Sequence, residues 1–307
     1  MNVEFGSIAV QPGSDRSIAV EVYFRGTPPS GAEFDRMLRD FTLEVVERGS
    51  DVHVSATFQN GWRPMLFSGF FDLGHSICRN WQCLEYSSWL RAVEYRVTVP
   101  SKFNADLTTS GGWISVANLN GQVIARTSGG SLNFDRVGGP VNGRTSGGSI
   151  TLAGARGRTF LHTSGGAIRI MDVVGDVDAS TSGGSISMSG VSGDAIAHTS
   201  GGRISLEKTN GAIDASTSGG SVTASLIAQP KKECRLFTSG GSIYVSLSKD
   251  VHLNIDASTS GGRVSTDFPV LSRGDRHQRE LLTPLNGGGP LLYLHTSGGG
   301  ITVRRAG

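Results

Sequence analysis

Apolar and polar residues alternate along most of this chain, and the alternation returns in register every 18 residues between Thr109 and Thr217. When the Thr of each recurring TSGG motif is numbered position 1, positions 6, 8, 15 and 17 are mainly apolar, whereas positions 5 and 7 are mostly Ser, Thr or Asn. A period of two predicts β-strands with one buried face, and the three-to-four spacing of an amphipathic helix is absent. The motif occurs ten times and starts at Thr109, Thr127, Thr145, Thr163, Thr181, Thr199, Thr217, Thr238, Thr259 and Thr296.

Glycine interrupts each repeat at two places. The TSGG motif has Gly at positions 3 and 4, and a further Gly recurs at position 13. These glycines predict corners at which the chain needs either a positive φ or a close approach of two backbones. Each repeat is therefore predicted to contain a strand, a corner, a second strand and a second corner.

One repeat cannot bury its apolar face alone, but repeats stacked in register can, because each backbone then pairs with the rungs above and below it. The pattern predicts an all-β fold, a single-stranded β-helix (β-solenoid) with 18-residue rungs. In this register the Thr at position 1 points inward, where a stacked ladder of hydroxyl groups is expected, and the Ser at position 2 points outward. Cys234 falls at position 15 of a longer repeat and is predicted to be a buried core residue.

The first hundred residues lack TSGG but are predicted to be rich in strands. Segments 17–24 and 90–100 predict single strands, and segments 41–46 and 51–58 flank a turn, which predicts a hairpin. Ser30 and Glu33 fit a capping box that predicts a short helix over about residues 31–40.

No linker is visible between this part and the repeats. We therefore predict one continuous β-solenoid domain over residues 1–307. Residues 1–100 are expected to form the first rungs and a strand-rich cap, and residues 101–266 the regular repeats. Residues 267–307 are expected to form an insertion, as a loop or an end cap, followed by the C-terminal rung.

Composition narrows the function classes. The chain has 44 Gly among 307 residues, 18% charged residues and a formal net charge of +2. No basic run interleaved with aromatic residues is present, so no nucleic-acid partner is expected. The sequence shows no signal peptide and no transmembrane run, which leaves a cytoplasmic protein or an export segment outside this sequence.

The cysteines give little evidence for chemistry. Cys78 and Cys83 lie close together in the chain, and a small disulfide and two free thiols are both compatible with this spacing. His75 lies near them, but a fourth metal ligand is not evident, so no metal site and no cofactor are expected.

Two outward positions of the repeat are candidate binding surfaces. Position 18 carries four basic or His residues, which form a column suited to anionic glycans, lipid headgroups or phosphates, or an ordinary solvated face. Position 16 carries three apolar residues, which predict a face covered by the N-terminal segment or by a partner. The first set is Arg126, Arg144, His162 and His198, and the second is Ile124, Phe160 and Ile196.

Catalytic and calcium sites are not indicated. The acidic residues Asp172, Asp176, Asp178 and Asp194 form a small cluster that is compatible with one cation or with solvated corner carboxylates. The repeated Gly–Gly is not followed by the carboxylates of a calcium-binding roll. Outward positions are chiefly Ser, Thr and Asn, and no carboxylate pair of the kind glycosidases use recurs on one strand face.

Three segments together resemble a known bacterial family. They are the TSGGSI unit every 18 residues, the stretch YRVTVP followed by FNADLTTSGG, and the ending LNGGGPLLYLHTSGGGITV. The chain resembles the putative-adhesin β-strand-repeat family, a domain of unknown function related to head GIN domains. The resemblance implies a right-handed β-helix and a bacterial cell-envelope or extracellular setting, and it implies no catalytic residue.

These observations give three functional hypotheses. The first is a non-enzymatic envelope or surface protein, an adhesin that binds glycans, cell wall, lipid headgroups or another surface partner. The second is a structural or assembly module whose rods self-associate by stacking end to end or by packing side by side. The third is a carbohydrate-active β-helix enzyme.

Overall fold

The computed structural model describes residues 1–13, 17–25, 31–49, 51–58, 93–269 and 279–306. The described strands belong to two long sheets, one of 14 strands and one of 13, here called sheet A and sheet B. The N-terminal elements are β1 (Asn2–Val3), β2 (Ser7–Pro12), β3 (Ala19–Phe24), α1 (Gly31–Asp40), β4 (Phe41–Arg48), β5 (Asp51–Phe58) and β6 (Val93–Val99).

The regular repeats form strands that alternate between the two sheets. Within each sheet, successive strands are parallel and pair residues 18 positions apart, as Ile150 does with Ile168. The strands are β7 (Ala105–Thr109), β8 (Ile114–Ala117), β9 (Val123–Thr127), β10 (Leu132–Val137), β11 (Val141–Arg144), β12 (Ile150–Arg156), β13 (Thr159–His162), β14 (Ile168–Val174), β15 (Val177–Thr181), β16 (Ile186–Val191), β17 (Ala195–Thr199), β18 (Ile204–Thr209), β19 (Ile213–Thr217) and β20 (Val222–Leu226).

The longer repeats at the C-terminal end form seven further strands. The segment that interrupts the last repeat contributes β25, which pairs antiparallel with β23 at one end of sheet A. The strands are β21 (Cys234–Thr238), β22 (Ile243–Leu247), β23 (Leu253–Thr259), β24 (Val264–Thr266), β25 (Glu280–Leu285), β26 (Leu291–Thr296) and β27 (Ile301–Arg305).

This architecture confirms the predicted all-β β-solenoid, and its handedness stays a prediction. The alternation read from the sequence separates buried from outward residues as expected. Ile150, Ile168, Ile186 and Ile204 stack in one column of sheet B, and each has at most 1% of its surface exposed. The hairpin of β4 and β5 and the helix α1 are confirmed, whereas Ser30 of the capping box lies outside the described residues.

The order of strands in space departs from their order in the chain at both ends. Strands β1 and β2 lie between the β5–β6 rung and the β7–β8 rung. Strands β26 and β27 lie between the β21–β22 rung and the β23–β24 rung. The first and the last rung of the chain are therefore inserted into the stack rather than placed at its ends.

The inserted N-terminal rung contains part of the repeat motif. Gly6, Ile8 and Val10 lie in the register of positions 4, 6 and 8, because Ile8 pairs with Ile114 and Val10 with Val116. The peptide FGSIAV is the sequence signal for this rung, and it lacks the Thr that identifies the other copies.

The TSGG corner is held by hydrogen bonds from the threonine hydroxyls to backbone. Each Thr at position 1 is buried and donates to the carbonyl oxygen of the position 4 Gly in the adjacent rung, at 2.6–2.9 Å. For example, the Thr163 hydroxyl donates to Gly148 O and accepts from Gly166 N. The predictions that Thr points inward and that the threonines of successive rungs stack are confirmed, as Thr181 and Thr199 show, and the partner of each hydroxyl is glycine backbone.

The two glycines of TSGG have different roles. A Cβ atom built at Gly148 would lie 2.0 Å from Gly130 O, whereas one built at Gly147 would meet its nearest neighbour at 3.6 Å. None of the TSGG glycines has a positive φ. At the TSGG corner, close backbone approach is therefore the reason for glycine, and it applies at position 4. At position 13, a positive φ also occurs, in Gly157 and Gly175.

The second corner contains a left-handed residue at position 10 in six successive rungs. The residues are Asn118, Arg136, Gly154, Asp172, Gly190 and Lys208, with φ between 49° and 94°. Since four of the six are not glycine, the residue type at this position does not reveal the conformation.

Candidate functional site

The outward side chains of sheet A bring together the residues that the sequence marks as candidates. The parallel register places Arg126 beside Arg144 and Arg144 beside His162. His198 lies two rungs beyond His162, with Ser180 between them. The four residues therefore share one column, here called the basic column.

Each member of the basic column already has a partner among the described residues. Arg126 Nη1 lies 2.9 Å from Asp106 Oδ1, and the Arg144 guanidinium lies 4.8 Å from the centre of the Phe160 ring. The Nδ1 atoms of His162 and His198 are hydrogen-bonded to the hydroxyls of Ser180 and Ser216, at 2.8 and 2.6 Å. A ligand would have to share these groups with neighbours, although both arginines remain exposed.

The apolar residues of position 16 lie in the adjacent column of sheet A. Ile124, Phe160 and Ile196 are half-buried, and Asn142 and Asp178 alternate with them in the register. In the described part of the chain the Arg144 side chain lies over Phe160. The N-terminal strands instead join the end of the stack, next to β7, rather than its outer face.

The basic column continues into rungs where the repeat spacing changes. Phe237 and His295 follow Ser216 in the register, and their rings stack with centres 5.5 Å apart. Tyr293 lies in the next outward column, and its ring stacks on His295 at 6.3 Å. The sequence signal for this group is that Phe237 and His295 directly precede the TSGG motifs at Thr238 and Thr296 and therefore occupy position 18 of the repeat.

Two of the acidic residues have structural roles in the second corner. Asp176 Oδ1 accepts a hydrogen bond from Asp194 N, and Asp194 Oδ1 accepts one from Ala212 N. Asp194 Oδ2 lies 2.7 Å from Lys232 Nζ, and this hydrogen bond, with that from Ala212, lowers the pKa of the Asp194 carboxyl. These contacts favour the interpretation of corner carboxylates over that of a cation site.

The cysteine and metal predictions have different outcomes. Cys234 is a fully buried free thiol, as predicted, and burial raises its pKa. Cys78 and Cys83 lie outside the described residues, so their disulfide stays a prediction. In the described ranges, no group of three or more His, Cys, Asp or Glu side chains is arranged to hold a metal ion. None of the helices described has the length and apolar character needed to cross a membrane.

The geometry defines a parallel β-solenoid of two sheets whose outward columns carry its polar and aromatic side chains. Residues 38–304 match the model of the Toastrack DUF4097 family, and the chain belongs to this family. The match confirms the resemblance predicted from the repeat, and the family is one of unknown function. No curated protein matches the chain.

Two solved structures are similar to the chain at low identity. One is a putative cell adhesion protein from Clostridium sporogenes ATCC 15579, with 10% identity, a TM-score of 0.28, and coverage of 99% of this chain and 91% of the other. The second is a putative adhesin from Bacteroides fragilis NCTC 9343, with 11% identity, a TM-score of 0.34, and coverage of 99% and 90%. With both TM-scores below 0.5, the likeness is distant, and the family match alone assigns the chain.

Proposed function

We propose that this chain is a non-enzymatic β-solenoid of the bacterial cell envelope or cell surface, an adhesin that binds glycans, cell wall or lipid headgroups. The observation that carries the proposal is the basic column, which aligns four basic or His residues on one outward face of sheet A. Rungs spaced about 4.8 Å apart present such groups at intervals that suit a repeating anionic surface.

The residues that line the cavities support a binding function over a hydrolytic one. Two cavities in the described part of the chain each have one carboxylate residue in their lining, Asp106 in one and Glu207 in the other. Glycoside hydrolysis uses two carboxylates on opposite sides of the scissile bond. An enzymatic function would need a second acid that neither cavity supplies.

The test is binding of the full chain to a panel of bacterial glycans, insoluble cell wall and anionic lipid vesicles. We expect binding to at least one member of the panel, and we expect the Arg126→Ala/Arg144→Ala double variant to bind it about tenfold more weakly. The matched control is Arg156→Ala/Arg158→Ala, which removes the same charge from exposed positions at the second corner. No binding by the native chain, or an equal loss in the control, would contradict the proposal.

A second candidate function is lateral self-association through the apolar column. The half-buried side chains of Ile124, Phe160 and Ile196 face outward from sheet A, and such a column is typical of a surface that packs against a partner. We expect sedimentation of the concentrated chain to show dimers that the Phe160→Ser variant lacks. A chain that stays monomeric at all concentrations would exclude this function.

A further inference from the structure

A groove on the outer face of sheet B contains polar side chains that are neither candidates from the sequence nor members of the basic column. Its volume is about 520 Å³, which lies within the usual range of 300–1,000 Å³ for ligand sites. The groove runs across β18, β20, β22 and β27, and its lining includes Tyr244, Ser246 and Arg304. We call it the sheet B groove.

The groove lies where the cross-section of the solenoid changes. Strand β18 has a bulge at Glu207 and Lys208, so that Leu206 pairs with Ala224 but Thr209 pairs with Leu226. Strands β20, β22 and β27 pair without any such shift. The groove therefore lies where the bulged strand β18 is followed by strands without a bulge, and no such junction occurs within the regular repeats that precede it.

Three side chains of the groove, those of Tyr244, Ser246 and Arg304, have no partner among the described residues, unlike those of the basic column. Two others do have one, since Thr302 accepts a hydrogen bond from Ser265 and Arg305 lies over Phe268. Tyr244 is 49% exposed, and Arg304 and Lys208 are exposed. In the described part of the chain, no hydrogen bond or salt bridge is found for the side chains of Tyr244, Ser246 or Arg304, whereas Arg126 has Asp106 and both histidines have serines. Groups without internal partners are available to a ligand at no cost in broken contacts.

The arrangement of these groups favours a sugar. The Tyr244 ring lies in the register between Thr223 and Thr302, and Ser225 and Ser246 pair with each other beside it. An aromatic face bordered by hydroxyls complements a pyranose, which has an apolar C–H face and a rim of hydroxyl groups. Since the groove combines an aromatic surface with a few converging polar groups, it has the make-up of a small-molecule site.

Charge restricts the sugar further. Lys208, Arg304 and Arg305 line the groove together with one carboxylate residue, Glu207. An excess of cationic side chains favours an anionic ligand, and the planar guanidinium of Arg304 can bind a carboxylate through two parallel hydrogen bonds.

We infer that the sheet B groove binds a saccharide unit that carries a carboxylate, with the sugar packed on Tyr244 and its carboxylate bound by Arg304. This inference rests on the proposed function, since it names the ligand class and a second site for a surface glycan-binding protein. It differs from that proposal in the sheet it uses and in the residues it requires.

Calorimetric titration of the full chain tests the inference, with a trimer of galacturonic acid as the acidic probe and a trimer of galactose as the neutral one. We expect the acidic trimer to bind about tenfold more tightly than the neutral trimer. The Arg304→Ala variant should lose this preference, and the Tyr244→Ala variant should bind both trimers more weakly. The control is Arg169→Ala, which removes one exposed charge from the column of Tyr244 but outside the groove, and it should bind as the native chain does.

Several results would overturn the inference. They are equal affinity for the two trimers, an unchanged affinity in the Tyr244→Ala or Arg304→Ala variant, and a loss of affinity in Arg169→Ala. Inorganic phosphate that binds as tightly as the acidic trimer would show that the sugar is not recognised. If the panel ligand binds through Arg126 and Arg144 while the acidic trimer does not bind, this inference fails and the proposed function stands. If nothing in the panel binds, both fail.

Discussion

The regular middle of the solenoid and its two ends have the same hydrogen bonds at the TSGG corner, but they differ in how the order of rungs in space relates to their order in the chain. From β7 to β20 the next rung in space is the next rung in the chain. At the ends this is no longer so, because β1 and β2 lie inside the N-terminal end and β26 and β27 inside the C-terminal end. Nevertheless, the Thr109 hydroxyl donates to Gly6 O, and the Thr296 hydroxyl donates to Gly241 O, as their counterparts in the middle do.

The position of a rung in the stack therefore does not follow from its position in the chain. Leu292 of the last repeat stacks on Cys234, and Ile301 stacks on Ile243, although residues 253–266 come between them in sequence. Inserting the terminal rungs also binds the first and last segments of the chain to neighbours on both sides. Segments that pair on two edges are held more firmly than segments that pair on one.

The N-terminal end differs from the middle in its buried charge. Glu94 of β6 is 3% exposed, and its carboxylate forms salt bridges with Arg25 and Arg96. Burial alone would raise the pKa of the Glu94 carboxyl, but the hydrogen bonds from Arg96 and Arg25 outweigh it and lower the pKa. The neighbouring Tyr95 phenol is buried as well, and burial raises its pKa. The buried polar side chains of the middle are instead threonines.

The largest expected effect comes from a charge placed in the core of either region. Ile186 in the middle and Ile301 in the inserted last rung are both almost fully buried. Replacing either by Asp should destabilise the fold by about 5 kcal/mol or more, because an unpaired carboxylate replaces a stacked apolar side chain. Denaturant unfolding measures the loss, and Ser187→Asp, one residue along and outward, is the control expected to be nearly silent. A silent Ile301→Asp would show that the last rung is not inserted.

The next largest loss of stability is expected at only one of the two glycines of the TSGG corner. Gly148→Ala should destabilise by about 3 kcal/mol, because the new Cβ would overlap Gly130 O. Gly299→Ala in the inserted rung should do the same, because its Cβ would lie 2.1 Å from Gly241 O. Gly147→Ala is the matched control, and thermal melting should show little change there. Equal melting temperatures for Gly147→Ala and Gly148→Ala would contradict the close approach at position 4.

The buried carboxylate of Glu94 makes the stability of the N-terminal end depend on pH. The folded-state pKa of Glu94 is below its ordinary value, so its contribution to stability is present above the ordinary pKa and is lost as the pH falls through the folded-state pKa. Glu94→Gln should cost about 1–3 kcal/mol at neutral pH and flatten the acid limb of the stability curve. The measurement is unfolding free energy against pH, and an unchanged acid limb in this variant would contradict the assignment.

The smallest expected effect tests whether the Thr hydroxyl contributes equally to stability in the two regions. Thr163→Val in the middle and Thr296→Val in the inserted rung each remove a hydroxyl that donates to a glycine carbonyl. Each should cost about 1–2 kcal/mol, since the shape is kept while one backbone carbonyl loses its donor and one glycine N–H loses its acceptor. Urea unfolding of both variants gives the comparison. Losses that differ several-fold would mean that the corner is not equivalent in the two regions.

The edges of the described sheets bear on how rods associate. Strands β4 and β25 end sheet A, and both pair antiparallel with their only neighbour. Strand β3 ends sheet B in the same way at one side, and the three-residue β24 ends it at the other. Antiparallel and very short edge strands oppose continued parallel pairing between copies, so we expect end-to-end stacking to be less favoured than lateral packing.

Much of the candidate site followed from the sequence because it lies in the regular repeats. A fixed count of 18 residues places Arg126, Arg144 and His162 in one column without knowledge of the fold. The count does not show that Asp106 pairs with Arg126 or that Ser180 pairs with His162, since these partners depend on side-chain direction. Phe237 and His295 also occupy position 18, directly before a TSGG motif, whereas the sheet B groove depends on a bulge in β18 that the count does not show.

The sequence by itself determined the period, the buried face and therefore the β-solenoid, because local alternation and stacking of like residues leave few other ways to bury the apolar positions. The tertiary structure decided where the terminal rungs lie and what the TSGG corner does. The position of β1 or β27 in the stack depends on contacts between residues far apart in the chain, which local pattern does not specify. The tertiary structure likewise decided that the Thr hydroxyl donates to a glycine carbonyl of the adjacent rung, because two backbones approach each other closely at this corner.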